Sequence, residues 1–251
     1  MTPTPDQMKK IREFAVSQLL GIVPFCRDCS HPEQPTHLAN YQAVVEATGY
    51  KWTPGAKGTT CGFLCHWLLD QIGAINADIV NWDNPKRGTK YTGGGNNISK
   101  LYHGGMAPFN KILLIPRNPF SQAPVQNGPQ PGDIVHIAKL DGNNQYVVNS
   151  DHVFVFLSND PKAAQFQNLP YMKPSATPAG ANSSPLIWVT AESGQGPTGR
   201  ATDALFKSRA IHVNPLSTSK ISLEDPDNRY ITGWLDLSKL DYDATRVGEI
   251  C

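Results

Sequence analysis

Thiols and imidazoles are the groups in this chain best suited to chemistry. There are five cysteines and seven histidines. The stretch "TTCGFLCHWLLDQIG", Thr59 to Gly73, sets Cys61 and Cys65 four residues apart at the start of a predicted helix. The thiolate is the attacking form of cysteine, and a helix N-terminus favours it through its unsatisfied amides and its dipole. Cys61 falls in the first turn, where its own N–H is a spare donor that could also hold an oxyanion. Gly62 beside it leaves room for a substrate. Cys65 lies one turn in, on the stripe Cys61, Cys65, Leu68 and Ile72, and reads as a small core hydrophobe. Thr59 or Thr60 can cap this helix and Gly73 can stop it. Taken alone the stretch favours two structural cysteines, so the case for a nucleophile depends on finding a base.

A thiol nucleophile needs an imidazole, and the imidazole needs a group to orient it. His31 and His37 belong to the Cys26–Cys29 loop region, and His103 to a glycine-rich loop. His66 follows Cys65 and cannot turn toward Cys61. His136 and His212 sit inside predicted strands; His136 shares a face with Ile134 and is expected to be structural or peripheral. His152 opens "HVFVFL" after the turn-like "NSD", where a strand start can project over a helix N-terminus, so it is the candidate base. The orienting group should come from the next strand, "WVTAESGQG", which offers Glu192 and Gln195. Strand side chains alternate faces, so Trp188, Thr190 and Glu192 share one and Val189 and Ala191 the other. If the Val189/Ala191 face packs on the helices, Glu192 points away from Cys61; if the opposite face does, Glu192 can reach the imidazole. The turn at Gly194 would free Gln195 from this alternation. Glu192 is preferred because a carboxylate stabilises an imidazolium better than a neutral amide does.

The elements around these residues follow from periodicity. Met8, Ile11, Phe14, Ala15, Leu19 and Leu20 have helical spacing over Pro5 to Leu20, and a second helix starts near Thr36 and closes by Gly49. A short helix is expected around Asn97 to Tyr102 and a strand at Lys111 to Ile115. The period then shortens: "PGDIVHIAKL", "QYVVNSDHVFVFLS", "PLIWVTAES", "SRAIHV" and "RYITGWLDL" read as strands. Helices followed by strands give an α+β fold, with helices packed on an antiparallel sheet of about five strands. The 251 residues suit one domain. Residues 1–48 form a helical extension, and residues 49–240 form a core with insertions at 74–131 and 158–185.

Composition narrows the partners. A formal net charge of +1 gives no electrostatic case for nucleic acid or an anionic membrane surface. No run of 18 apolar residues predicts a membrane span, and "MTPTPDQMKK" lacks the pattern of a Sec signal peptide. If the protein works outside its cell of origin, a route other than Sec must carry it; otherwise a cytoplasmic location is expected. A monomer is expected.

The order of Cys at a helix start, "QPGDIVHI", "DHVFVFL" and a polar residue in "WVTAES" resembles the NlpC/P60 and CHAP cysteine hydrolases. These are circularly permuted papain-like folds. The lead-in "GYKWTPGAKGTTCGFLCHWLL" is similar to that family's Y-x-W, glycines and D-C-S-G run, with Thr60 in place of the Asp and Gly62 in place of the Ser. The likeness spans roughly Gly49 to Ser193, and "GWLDL" looks like a closing strand. It implies hydrolysis of an amide bond in peptidoglycan stem peptides, with Cys61 as nucleophile, His152 as base and Glu192 orienting the His. It also implies that Tyr50 flanks the oxyanion, with Gly62 and Gln195 beside it at the oxyanion or substrate, and that no metal or organic cofactor is used. The N-terminal helices, the missing Sec signal and the single domain also resemble type VI secretion amidase effectors, for which a cognate immunity protein would be a further partner.

Three other readings compete. Cys26-x-x-Cys29 with His31 and His37 has the ligand count for zinc, but His31 follows too closely for an ordinary finger, so a disulfide or free thiols is preferred. A protein-modifying toxin, a glutamine deamidase or transglutaminase-like enzyme, would use the same Cys–His pair. A catalytically dead binding module would have no need of Cys61, His152 and Glu192 together.

Overall fold

The structure is a computed structural model that describes residues 1–27, 34–48, 61–75, 109–111, 115–116, 128–139, 141, 147, 150, 152–167, 169, 173–174, 186–194, 203–215, 220–224 and 229–251. Helix α1 (Pro5–Ile22) opens on a reciprocal cap: the Thr4 hydroxyl accepts from the Gln7 amide, and the Gln7 side chain accepts from the Thr4 N–H at 3.0 Å. Met8, Ile11, Ala15, Val16 and Leu19 form its buried face. Helix α2 (Gln34–Val44) starts slightly before the expected Thr36, and a 3-10 turn at Glu46–Thr48 follows it. Helix α3 (Cys61–Gln71) stops before Gly73, whose φ of +73° suits a glycine. Helix α4 (Ala244–Ile250) is capped by Asp243, and its Arg246 Nε donates to the Gln71 carbonyl, which ties the chain end to α3.

The strands are β1 (Phe25–Cys26), β2 (Phe109–Lys111), β3 (Ile115–Pro116), β4 (Ile134–Ala138), β5 (His152–Ser158), β6 (Lys173–Pro174), β7 (Leu186–Ser193), β8 (Asp203–Pro215), β9 (Lys220–Glu224) and β10 (Tyr230–Leu235). The α+β layout read from the sequence is present. Among the described residues, six antiparallel strands have five or more residues, where about five were expected; β9, "KISLE", is the one that periodicity did not reveal. Of the expected strand at Lys111 to Ile115, Lys111 ends β2 and Ile115 begins β3, while residues 112–114 lie outside the described residues. The expected helix at Asn97 to Tyr102 lies outside the described residues.

The long β8 decides the architecture. Its residues 204–211 pair with β7 and its residues 212–215 with β9. With the β9–β10, β10–β4, β4–β5 and β5–β7 ladders, this closes a ring, β4-β5-β7-β8-β9-β10. A six-stranded ring has room inside only for side chains, so the helices pack outside it. Ile134, Val153, Val155, Leu157, Val189, Ala191, Phe206 and Leu235 face outward into one core with α1 and α3. Val135, Ile137, Phe154, Phe156, Trp188, Ile211, Ile231 and Trp234 form a second, inner core. Strands apolar on both faces are what such an arrangement requires, and "HVFVFL" is one.

The turn Pro131–Asp133 anchors the ring to α1. Gly132 has φ +92°, and a Cβ there would meet Leu237 Cδ1 at 2.8 Å and Ala15 Cβ at 3.5 Å. Buried Asp133 accepts from Arg12 Nη1 at 2.7 Å, from the Leu237 amide at 3.0 Å and from the Gln130 amide at 2.8 Å. Arg12 reaches on to the Pro131 carbonyl and to Asp236. The "PGD" segment thus serves a structural purpose, fixing where β4 begins relative to the helices.

Candidate active site

Alternation along β7 sends Trp188, Thr190 and Glu192 to the inside of the ring, and ladder pairing brings Lys207 opposite Thr190 and Arg209 opposite Trp188. Glu192 is completely buried. It accepts from Thr190 Oγ1 at 2.6 Å, from Arg209 through Nε and, at 2.7 Å, through Nη2, and from His152 Nε2 at 3.1 Å. Lys207 Nζ lies 3.4 Å from the same carboxylate. The Arg209 guanidinium also covers the Phe154 ring, 4.7 Å from its centroid.

Protonation states follow. Burial alone would raise the Glu192 carboxyl, but Arg209 and Lys207 outweigh it and hold the group well below the ordinary carboxylate range. Burial lowers His152 to about 4, and Arg209 and Lys207 add to that, against the opposing pull of Glu192. The pair is therefore a neutral imidazole beside an ionised carboxylate at neutral pH. An ionised carboxylate only accepts, so the proton sits on Nε2 and the lone pair on Nδ1.

Cys61 is the first residue of α3 and is buried, with Gly62 buried beside it. The expected narrow stripe is in fact a helix buried on nearly every side, from Cys61 through Leu69. Cys65 Sγ contacts the Cys61 carbonyl at 3.6 Å. Burial pushes the Cys65 thiol well above its ordinary value, and Cys61 and Glu192 push the same way, so Cys65 stays protonated. Neither cysteine is part of a disulfide.

Strand faces separate these groups. α3 packs on β5 and β7 from outside, in the core that holds Val153, Val155 and Ala191, whereas His152 and Glu192 point inward. Of the two alternatives for β7, the Val189/Ala191 face is the one on the helices. The structure brings His152 and Glu192 together and sets Cys61 on the other face of the sheet. His136 pairs with Val153 in the ladder and so faces outward, where its Nδ1 meets Thr232 Oγ1. Tyr50, Thr59, Thr60 and Gln195 lie outside the described residues.

Arg209 and Lys207 were not singled out in the sequence. The available signal was an arginine followed directly by Ala210, Ile211 and further strand formers, which puts a charge at a buried strand position. At the other end of the chain, Cys26 is disulfide-bonded and lies 3.8 Å from His37 Nδ1. A disulfide sulfur is not a thiolate ligand, which removes one donor from the zinc reading; Cys29 and His31 lie outside the described residues. A groove of about 700 Å³ runs beside α1, lined by Met8, Arg12, Val16, Pro131 and Leu157 among others, and none of the candidate catalytic residues lines it.

No family model, no curated protein and no solved structure matches this chain.

Two outcomes follow from this cluster. Glu192→Gln keeps the shape but leaves Arg209 and Lys207 beside a neutral amide, and should cost about 3–5 kcal/mol of stability, the range for breaking a buried pair. Urea denaturation checks it; a loss below about 1 kcal/mol would show the cluster to be better hydrated than its burial indicates. The second concerns pH. Between about 6.5 and 4 an unfolded His152 takes up a proton that the folded one refuses, so stability falls as pH falls, by about 3 kcal/mol in all. His66, lowered by burial to about 3, acts in the same sense. Asp133, raised by burial to about 6, acts oppositely, binding its proton in the folded state first. Two histidines outweigh one aspartate, so the unfolding free energy should drop from about pH 7 to about pH 4.5. A flat profile would contradict the buried neutral imidazoles.

Proposed function

We propose that this protein is a cysteine-dependent amide hydrolase acting on peptidoglycan stem peptides, with Cys61 as nucleophile, His152 as general base and Glu192 as its orienting carboxylate. The observation that carries the reading is the His152–Glu192 pair. An imidazole whose Nε2 proton is held by a buried carboxylate presents a basic Nδ1, as the base in a papain-like Cys–His–polar triad does. The chain order of helix-start cysteine, "PGD" turn and strand, strand-start histidine and polar residue on the following strand supports it.

In this mechanism the Cys61 thiol passes its proton to Nδ1 and the sulfur attacks the amide carbonyl. The Cys61 N–H, in the first turn of α3, helps hold the oxyanion. The imidazolium returns its proton to the leaving amine, and water then hydrolyses the thioester. Glu192 stabilises the imidazolium meanwhile. The step requires sulfur and ring to meet, which the arrangement with His152 inside the ring and α3 outside it does not itself provide; as the first residue of β5, His152 would have to turn past the strand end to reach the sulfur. One observation favours a second assignment within the same chemistry: His136, not His152, faces the side on which α3 packs.

Delivery as a type VI secretion effector, countered by an immunity protein, belongs to the same proposal. The test is incubation of purified sacculi with the protein and analysis of the released fragments. New amine and carboxyl ends in the stem peptides support the proposal. Intact sacculi, together with deamidated or cross-linked glutamine in added protein substrates, would move the assignment to a protein-modifying enzyme.

A further inference from the structure

We infer that Arg209 is a positioning residue of this site, which clamps the Glu192 carboxylate so that it holds one tautomer and one orientation of His152. The inference rests on the hydrolase reading for its catalytic consequence, but the clamp itself stands on geometry. Arg209 is buried on β8, two residues beyond Lys207 on the same inner face. Its Nε and Nη2 address the two different oxygens of Glu192, and Thr190 takes up a further site on Oε1. Packing over Phe154 restrains the guanidinium plane. A two-pronged, stacked arginine sets the plane of a carboxylate, which a single point charge does not. The plane so set leaves Oε2 facing His152 Nε2.

Arg209 also determines how the pair shares its proton. Among the described residues, the groups facing His152 include Glu192 from β7 and Lys207 and Arg209 from β8, with the Phe154 ring beside it on β5. Burial keeps the imidazole neutral, and Arg209 and Lys207 add to it against the pull of Glu192. Without Arg209, Glu192 would act on the ring as a less compensated anion and draw a second proton onto it. The base would then be occupied up to a higher pH, which moves the acid limb of the activity toward neutral.

The experiment uses the full chain with nitrogen-labelled histidine, with the His152 signals assigned from the spectrum of His152→Gln. The ring nitrogen shifts of wild type, Arg209→Lys and Arg209→Gln are followed from about pH 3.5 to about pH 8, alongside hydrolysis of sacculi over the same range. Wild type should show the Nε2–H form with a low titration midpoint. Arg209→Gln should raise the midpoint by about one to two pH units and carry the acid limb of the rate profile up with it. Arg209→Lys, which keeps the charge but loses the fork, should move it by about half a unit and lower the rate several-fold. If Arg209→Gln does not fold, Arg209→Lys decides alone. A midpoint and tautomer in Arg209→Lys equal to wild type overturn the inference. If no variant, wild type included, hydrolyses sacculi while the midpoints move as stated, the hydrolase reading fails and the clamp stands. If hydrolysis is present and the midpoints do not move, the clamp fails and the hydrolase reading stands.

Discussion

Cys61→Ala is expected to abolish fragment release from sacculi while the protein remains folded. No other described group of α3 can replace the sulfur. Cys65 is one turn further in, buried and held protonated, and its bond to the Cys61 carbonyl points it along the helix. On the hydrolase proposal, removing Cys61 Sγ deletes the atom that would form the thioester, so the rate should fall to that of the uncatalysed background. Cys61 also contributes to the outer core, so a stability cost of about 1–2 kcal/mol should accompany the loss. Cys65→Ala should show the reverse: activity close to wild type, with stability lowered by a similar amount. Fragment analysis and thermal denaturation of the two variants separate these effects. A folded Cys65→Ala that is dead beside an active Cys61→Ala would transfer the nucleophile one turn along α3.

His152→Ala should lower the rate by about 10²–10⁴-fold, the range for loss of a general base. The variant leaves Glu192 bound by Arg209, Lys207 and Thr190, so the inner cluster keeps its charge balance. His136→Ala should retain most activity if His136 serves only to join β4 to Thr232 of β10. This comparison discriminates sharply because the two imidazoles stand on opposite faces of neighbouring strands. An active His152→Ala beside an inactive His136→Ala would assign the base to the outward-facing residue and leave the Glu192 cluster a purely structural role.

Much of the local structure was legible in the sequence. Spacing of apolar residues and the Asp signal near its start marked α1 closely, and Gly73 stopped α3 as a glycine at positive φ does. The alternation that ties Glu192 to Trp188 and Thr190, and opposes it to Val189 and Ala191, is a property of any strand. It framed the question of which face meets the helices but could not answer it. "HVFVFL" is apolar on both faces, so neither face of β5 announced itself as the inner one. The answer came from β8, which runs from β7 to β9 and closes the ring. Closure turned Glu192, His152, Lys207 and Arg209 into one interior and left α3 with Cys61 outside. Such pairings join residues far apart in the chain, as His152 and Glu192 are, 40 positions from each other. Most of the elements, a candidate nucleophile at a helix start, and His152 and Glu192 as candidates to serve it could be read from local pattern. Which of those residues share a face could not, because the free energy that selects the long-range pairings is the burial of two apolar faces at once, and local propensity carries no information about it.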